Sequence, residues 1–179
     1  MRIIDTEREN TMFKLSVDNL SWIDGDPDNP DDLCAHGHAV AYIGDEIFEY
    51  DATVSAGALY MLKSLSEDHI IHEDNQMLPC CGFAVYARRS EPDTVDICGC
   101  PNGIDWSVIH DGDMVRLITE TGKETKLPIE EYRAAVFAFA DTVEAFYRRS
   151  APRIVPENET DREGYAAFWR EWRRRRGSV

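Results

Sequence analysis

Residues 38–51, HAVAYIGDEIFEYD, set two β-rich runs on either side of the two-residue connection Gly44-Asp45. No other feature constrains the fold as much. A glycine-led connection this short joins antiparallel neighbours, because parallel strands need a crossover of a dozen or more residues. Mirroring about the turn predicts Ile43 opposite Glu46, Tyr42 opposite Ile47 and Ala41 opposite Phe48. Similar punctuation recurs downstream. FAVYARR and TVDICGC flank residues 90–93, IDWSVIH and MVRLITE flank Asp111-Gly112-Asp113, and ETKL follows Thr121-Gly122-Lys123. Upstream, Met12 to Val17 reads as a strand, and Leu20 to Trp22 extend it.

After Thr53 the period changes. Ala58, Leu59, Leu62 and Leu65 are spaced by three and four, as on one face of a helix. Pro128 opens a longer helical run with Glu130 and Glu131 near its positive end and Arg148 and Arg149 near its negative end. The apolar stripe of that run is Tyr132, Val136, Phe139, Val143 and Phe146 or Tyr147. Thr160-Asp161-Arg162-Glu163 has the form of a capping box for a terminal helix whose stripe is Tyr165, Phe168, Trp169 and Trp172. The expected architecture is α+β: about six to eight antiparallel strands in hairpins, one central helix and two C-terminal helices packed on the sheet. At 179 residues the chain suits one domain. Residues 12–179 are expected to form it, with 1–11 an extension and 151–159 a linker to the terminal helix.

Charge narrows the function. The net charge is −15, and it is uneven. Residues 1–100 carry 20 Asp or Glu against 6 Lys or Arg, whereas residues 148–179 reverse this with 5 against 9. An acidic body is a poor ligand for nucleic acid, which needs clustered cations. It attracts and orients a basic protein. The N-terminus has no apolar run behind a basic start, and no window resembles a membrane span, so a cytoplasmic protein without a membrane partner is expected. The Arg-rich face of the terminal helix is expected to complement the acidic body.

The loop DGDPDNPDD, with Asp24, Asp26, Asp28, Asp31 and Asp32, lacks the glycine and glutamate that a calcium loop of the EF-hand type requires. It reads as a solvated acidic surface for a partner, with Trp22 and Trp106 as exposed aromatics beside it. Size, charge and architecture are similar in general character to those of the immunity proteins that neutralise cationic toxins such as nucleases. That likeness rests on no residue motif.

Four of the five cysteines stand at the two ends of residues 78–100. A symmetric hairpin about Glu91-Pro92 pairs Val85 with Cys98, Phe83 with Cys100 and Cys81 with Asn102, so that Cys81, Cys98 and Cys100 share a face. Zinc could be held by Cys80, Cys81, Cys98 and Cys100, or by Cys34, His36 and His38, although C-C and C-x-C are not standard knuckles. His69 and His72 would share a helical face. Burial as small hydrophobes is the commonest fate of free cysteine, so core sulfur is the expectation, with no cofactor. The alternatives are a zinc- or thiol-dependent protein, enzymatic or structural, and an oligomeric scaffold.

Overall fold

The computed structural model describes residues 12–23, 28–73, 75–82 and 84–177. The expected extension at 1–11 and the loop residues Asp24 and Asp26 lie outside them. Strands β1 (Phe13–Ser21), β2 (His36–Ile43) and β3 (Glu46–Ala52) form an antiparallel sheet in that order. Helix α1 (Val54–Lys63) follows. The short strands β4 (Leu78–Pro79) and β7 (Gly103–Ile104) pair with one another, as do β5 (Ala84–Arg88) and β6 (Glu91–Cys98). Strands β8 (Trp106–Asp111), β9 (Met114–Thr119) and β10 (Glu124–Pro128) form a meander. Helices α2 (Ile129–Arg149) and α3 (Glu159–Gly177) close the chain. The fold is α+β with antiparallel pairing in every ladder, and among the described residues its strands are divided among four small sheets.

The first hairpin has the register that its turn dictates, with Ile43 opposite Glu46, Tyr42 opposite Ile47 and Ala41 opposite Phe48. Gly44 turns with φ of +60°, and the Thr125 hydroxyl oxygen lies only 2.6 Å from where a Cβ would stand. The turn therefore docks on β10. Glu46 completes the join by accepting hydrogen bonds from the Thr119 and Thr121 hydroxyls.

Helix α1 is buried on all sides from Val54 to Leu62, which suits a segment of small and apolar residues without a polar face. It ends at Lys63, before the run that would have placed His69 and His72 on a helical face. The Ser64 hydroxyl bonds back to Met61 O and meets the Tyr132 hydroxyl at 2.7 Å, and the chain then turns away. His69 instead forms an isolated bridge with Val108, and His72 has a positive φ.

Helix α2 buries its expected stripe of Tyr132, Val136, Phe139, Val143 and Phe146. The ring of Tyr132 lies 5.0 Å from that of Phe13 on β1. Helix α3 begins two residues earlier than its capping-box pattern suggests. The Asn158 side-chain oxygen accepts from the amides of Thr160 and Asp161, so Asn158 is the cap and Thr160 lies inside the helix. The helix lies directly on the β5–β6 hairpin. A Cβ at Gly164 would stand 1.8 Å from the Val85 carbonyl oxygen, an approach open only to glycine.

The arginines of α3 do complement the acidic body. Arg170 pairs with Asp93 at 2.6 Å and Arg176 with Asp141 at 2.7 Å. Beneath them Glu171 is wholly buried. It accepts from the Val95 amide at 2.7 Å and from Arg175 at 2.7 Å, and Lys63 Nζ lies 3.6 Å away.

Candidate functional site

Three segments distant in sequence, with Ser55 of α1 and Pro156 beside them, meet at a cleft of about 410 Å³. The first is Asp31 to Cys34, the end of the acidic loop. The second is the start of the β5–β6 hairpin, with Gly82, Ala84, Val85 and Tyr86. The third is one face of α3 with Asp161, Tyr165 and Phe168. The volume falls within the ~300–1,000 Å³ typical of ligand pockets.

Each wall has a local cause. Asp32 fixes the loop as a turn, its two carboxylate oxygens accepting from the Ile23 amide at 2.7 Å and the Cys34 amide at 2.9 Å. Tyr147 holds the same segment from behind. Its hydroxyl donates to Leu33 O at 2.7 Å and accepts from the Ala35 amide at 3.1 Å. On α3, Asp161, Tyr165 and Phe168 are spaced by four and three and so share a face, which Gly164 brings against β5. Phe168 is buried and Tyr86 is 42% exposed, so the lining grades from an apolar floor to an open rim. Asp31 and Asp161 are exposed there. Burial raises the Tyr165 phenol above its usual range and pushes the Cys34 thiol up to about 12. Both remain neutral at physiological pH, and the carboxylates supply the charge. The arrangement suits a cation on an apolar stem: carboxylates for the head, aromatic and aliphatic walls for the methylenes.

The expected partner-binding residues separate into groups. Asp31 and Asp32 line the cleft. Asp28 is engaged within the chain, pairing with Arg153 and accepting from the Ala151 amide, which holds its carboxyl below the usual range. Trp22 and Trp106 are not exposed aromatics, as the sequence had suggested. They are 2% and 0% exposed. The Trp22 ring lies 4.7 Å from that of Phe146 and, edge to face, 5.2 Å from that of Tyr147, with the Arg153 guanidinium 3.9 Å over it. Trp106 lies 6.3 Å from Phe13. Rings this large gain more from joining the core than from standing beside a loop.

The expectation of core sulfur also fails for four of five thiols. Cys34 is buried and donates to Gly82 O, but Cys80 and Cys98 are exposed, and Cys81 and Cys100 are half-buried. The reason is register. The β5–β6 hairpin turns at Arg89-Ser90 with a bulge beyond Ala87, so Cys98 pairs with Ala84 in place of Val85. Asn102 likewise receives the Cys80 amide in place of that of Cys81. A one-residue slip moves a side chain to the other face, and Cys98 stands exposed. The partner expected for Cys100, Phe83, lies outside the described residues. His36 and His38 line a shallow pocket with Asp51, whereas Cys34 points to Gly82 and away from them. Among the described residues no group of three or more His, Cys, Asp or Glu side chains is arranged to hold a metal ion.

Sequence reasoning missed Asp161, Tyr165 and Phe168 as cleft residues. Their helical spacing was visible, but nothing local said that this face borders a cavity. It also missed the buried pair of His69 and Asp105, whose Nε2 and Oδ1 lie 2.8 Å apart. Asp105 Oδ1 also receives the Met77 and Trp106 amides, so this pair ties the 64–77 connection to β8. No helix of the described residues is long and apolar enough to cross a membrane. No family model matches the chain, and no curated protein and no solved structure matches it either.

Proposed function

We propose that this chain is a binding protein for a basic protein, and that the acid-rimmed cleft receives a cationic side chain of that partner. The observation that carries the reading is the joining of Asp31, Asp32 and Asp161 with the apolar lining of Leu33, Val85, Tyr86, Tyr165 and Phe168 in one cavity. Arginine is the fitting occupant. Its planar guanidinium bonds carboxylates in a fork, stacks on rings and is weakly hydrated, which favours it at the centre of interfaces. The net charge of −15 would steer such a partner to the surface before the cleft engages it. An inhibitor of the immunity type, which covers the basic active site of a cationic toxin, is the form of this function that size and charge favour.

The test is calorimetric titration with an arginine-rich peptide and with the same peptide carrying citrulline, which keeps the shape and removes the charge. The arginine peptide should bind and the citrulline peptide should not. Asp31→Asn combined with Asp161→Asn should weaken binding at least about tenfold, equivalent to ~1.4 kcal/mol. Asp113→Asn with Glu120→Gln removes as much charge from exposed positions outside the cleft. An equal loss in that control would show that bulk charge, and not the cleft, holds the peptide.

A further inference from the structure

The half-buried thiols Cys81 and Cys100 lie against each other in a way that neither hydrophobic packing nor metal ligation explains. Two ladders bring their segments together. On one side Leu78 and Pro79 pair with Ile104 and Gly103, and the Cys80 amide donates to Asn102 O at 3.0 Å. On the other side Ala84 pairs with Cys98. Between these clamps the chain at Cys81 runs directly over Gly99. A Cβ on Gly99 would stand 2.3 Å from the Cys81 carbonyl oxygen and 3.6 Å from its sulfur. Only glycine at the centre of Cys98-Gly99-Cys100 permits this approach. The Cys100 amide donates to the Cys81 sulfur at 2.9 Å, which sets one cysteine's sulfur on the other's backbone.

We propose that Cys100 and Cys81 form a thiol–disulfide exchange site, in which Cys100 is the attacking thiol, Cys81 the resolving thiol and a small-molecule disulfide of the glutathione class the oxidant. Cys100, once deprotonated to solvent, attacks one sulfur of the disulfide. A bond forms between Cys100 and one half of the reagent, the reagent's S–S bond breaks, and the other half leaves as a thiolate. Cys81, losing its proton to that thiolate or to water, then attacks the Cys100 sulfur and expels the second half. Two electrons pass from the protein dithiol to the reagent, so one disulfide is reduced to two thiols as the Cys81–Cys100 bond is made.

The roles follow from surroundings. The Cys100 thiol is held below the ordinary range by a hydrogen bond from the Asn102 backbone and by the neighbouring Cys81 and Cys80 thiols. The Cys100 amide pulls the Cys81 thiol down, but the Cys100 thiol, partial burial and the Cys80 thiol together outweigh it and leave Cys81 raised. A thiolate is the nucleophile in exchange, and the thiol that ionises first attacks first. Cys34 provides an internal contrast, since its burial leaves it protonated and inert. Cys81 directly precedes Gly82, which lines the cleft, so the bond would form at the root of one cleft wall. The exchange reading does not depend on what the cleft binds.

The experiment incubates the full chain in buffers of reduced and oxidised glutathione at graded ratios, quenches with acid and maps the peptides by mass. The expected product in oxidising buffer is a Cys81–Cys100 cross-link with Cys34 unmodified. Cys81→Ser should stop the reaction at glutathione bound to Cys100, and Cys100→Ser should slow glutathione uptake at least about tenfold. Should a variant fail to fold, alkylation rates of the native chain against pH carry the test. Cys100 should react fastest, with a midpoint below the ~8.5 of an ordinary thiol. A cross-link from Cys80 to Cys81 or Cys100, or faster alkylation at Cys80 or Cys98 than at Cys100, would overturn the assignment.

Discussion

His36 and His38 stand two residues apart on β2, yet their surroundings push them in opposite directions. His38 lies in the row Asp18, His38, Asp51 across the sheet. A hydrogen bond to Asp51, 2.9 Å from Nδ1, raises it above the ordinary value, with Asp18 and Glu49 adding to the effect. Burial lowers His36, and Asp32 offsets this only in part. The linkage signs therefore differ. A raised histidine adds stability that is fully present below its unfolded pKa of ~6.5 and is lost as pH rises through the folded value. A lowered histidine has no effect above ~6.5 and costs stability as pH falls from there toward its folded value. Proton NMR titration should place the two imidazoles on opposite sides of ~6.5. Asp51→Asn should bring His38 down while leaving His36 in place, and a common midpoint would contradict the environments described. The alternation of β2 was legible in sequence. The signs of these shifts were not, because Asp51 and Asp32 reach the two rings only through the sheet pairing and the loop turn.

Helix α3 shows how an element can be visible in sequence while its anchorage is hidden. Its stripe and arginines could be read directly, and its helical state follows from them. What holds it down is Glu171, a carboxylate with no exposure, lodged between Lys63 of α1, the Val95 amide of β6 and its own Arg175. Burial lowers Lys63, and Glu171 works against that effect. Removing one partner of a buried ionic group strands the others, at a cost of about 3–5 kcal/mol. Exposed pairs such as Arg170–Asp93 contribute about 0–1 kcal/mol. Urea unfolding of Glu171→Ala should accordingly show a loss of several kcal/mol with an unchanged slope, and Asp93→Asn a loss under ~1 kcal/mol. Equal losses would mean that α3 is held by its aromatic stripe alone. The register of the β5–β6 hairpin was hidden in the same way. Arg89-Ser90 carries no glycine or proline to mark it as the turn, whereas Pro92 two residues later does, and the bulge hid the true centre.

On the proposed function, the acidic charge attracts a basic partner at a distance and the cleft engages it on contact, so the two should separate kinetically. Raising ionic strength from about 0.01 M to about 0.15 M shortens the screening length from about 30 to about 8 Å. The association rate of a basic partner should then fall at least about tenfold, with little change in dissociation. Stopped-flow measurements at the two salt concentrations check this. A change confined to dissociation would place the attraction in short-range contacts.

The antiparallel pairing, the helices and their apolar stripes were determined locally, because turn chemistry and hydrophobic period act between residues a few positions apart. Burial of Trp22 and Trp106, the approach of Cys81 to Cys100 and the cleft between Asp31 and Asp161 have no local signature. Each arises where segments far apart in the chain dock. Gly99 and Gly164 permit those contacts by what they lack, and nothing in their own neighbourhoods announces the carbonyl that each must admit.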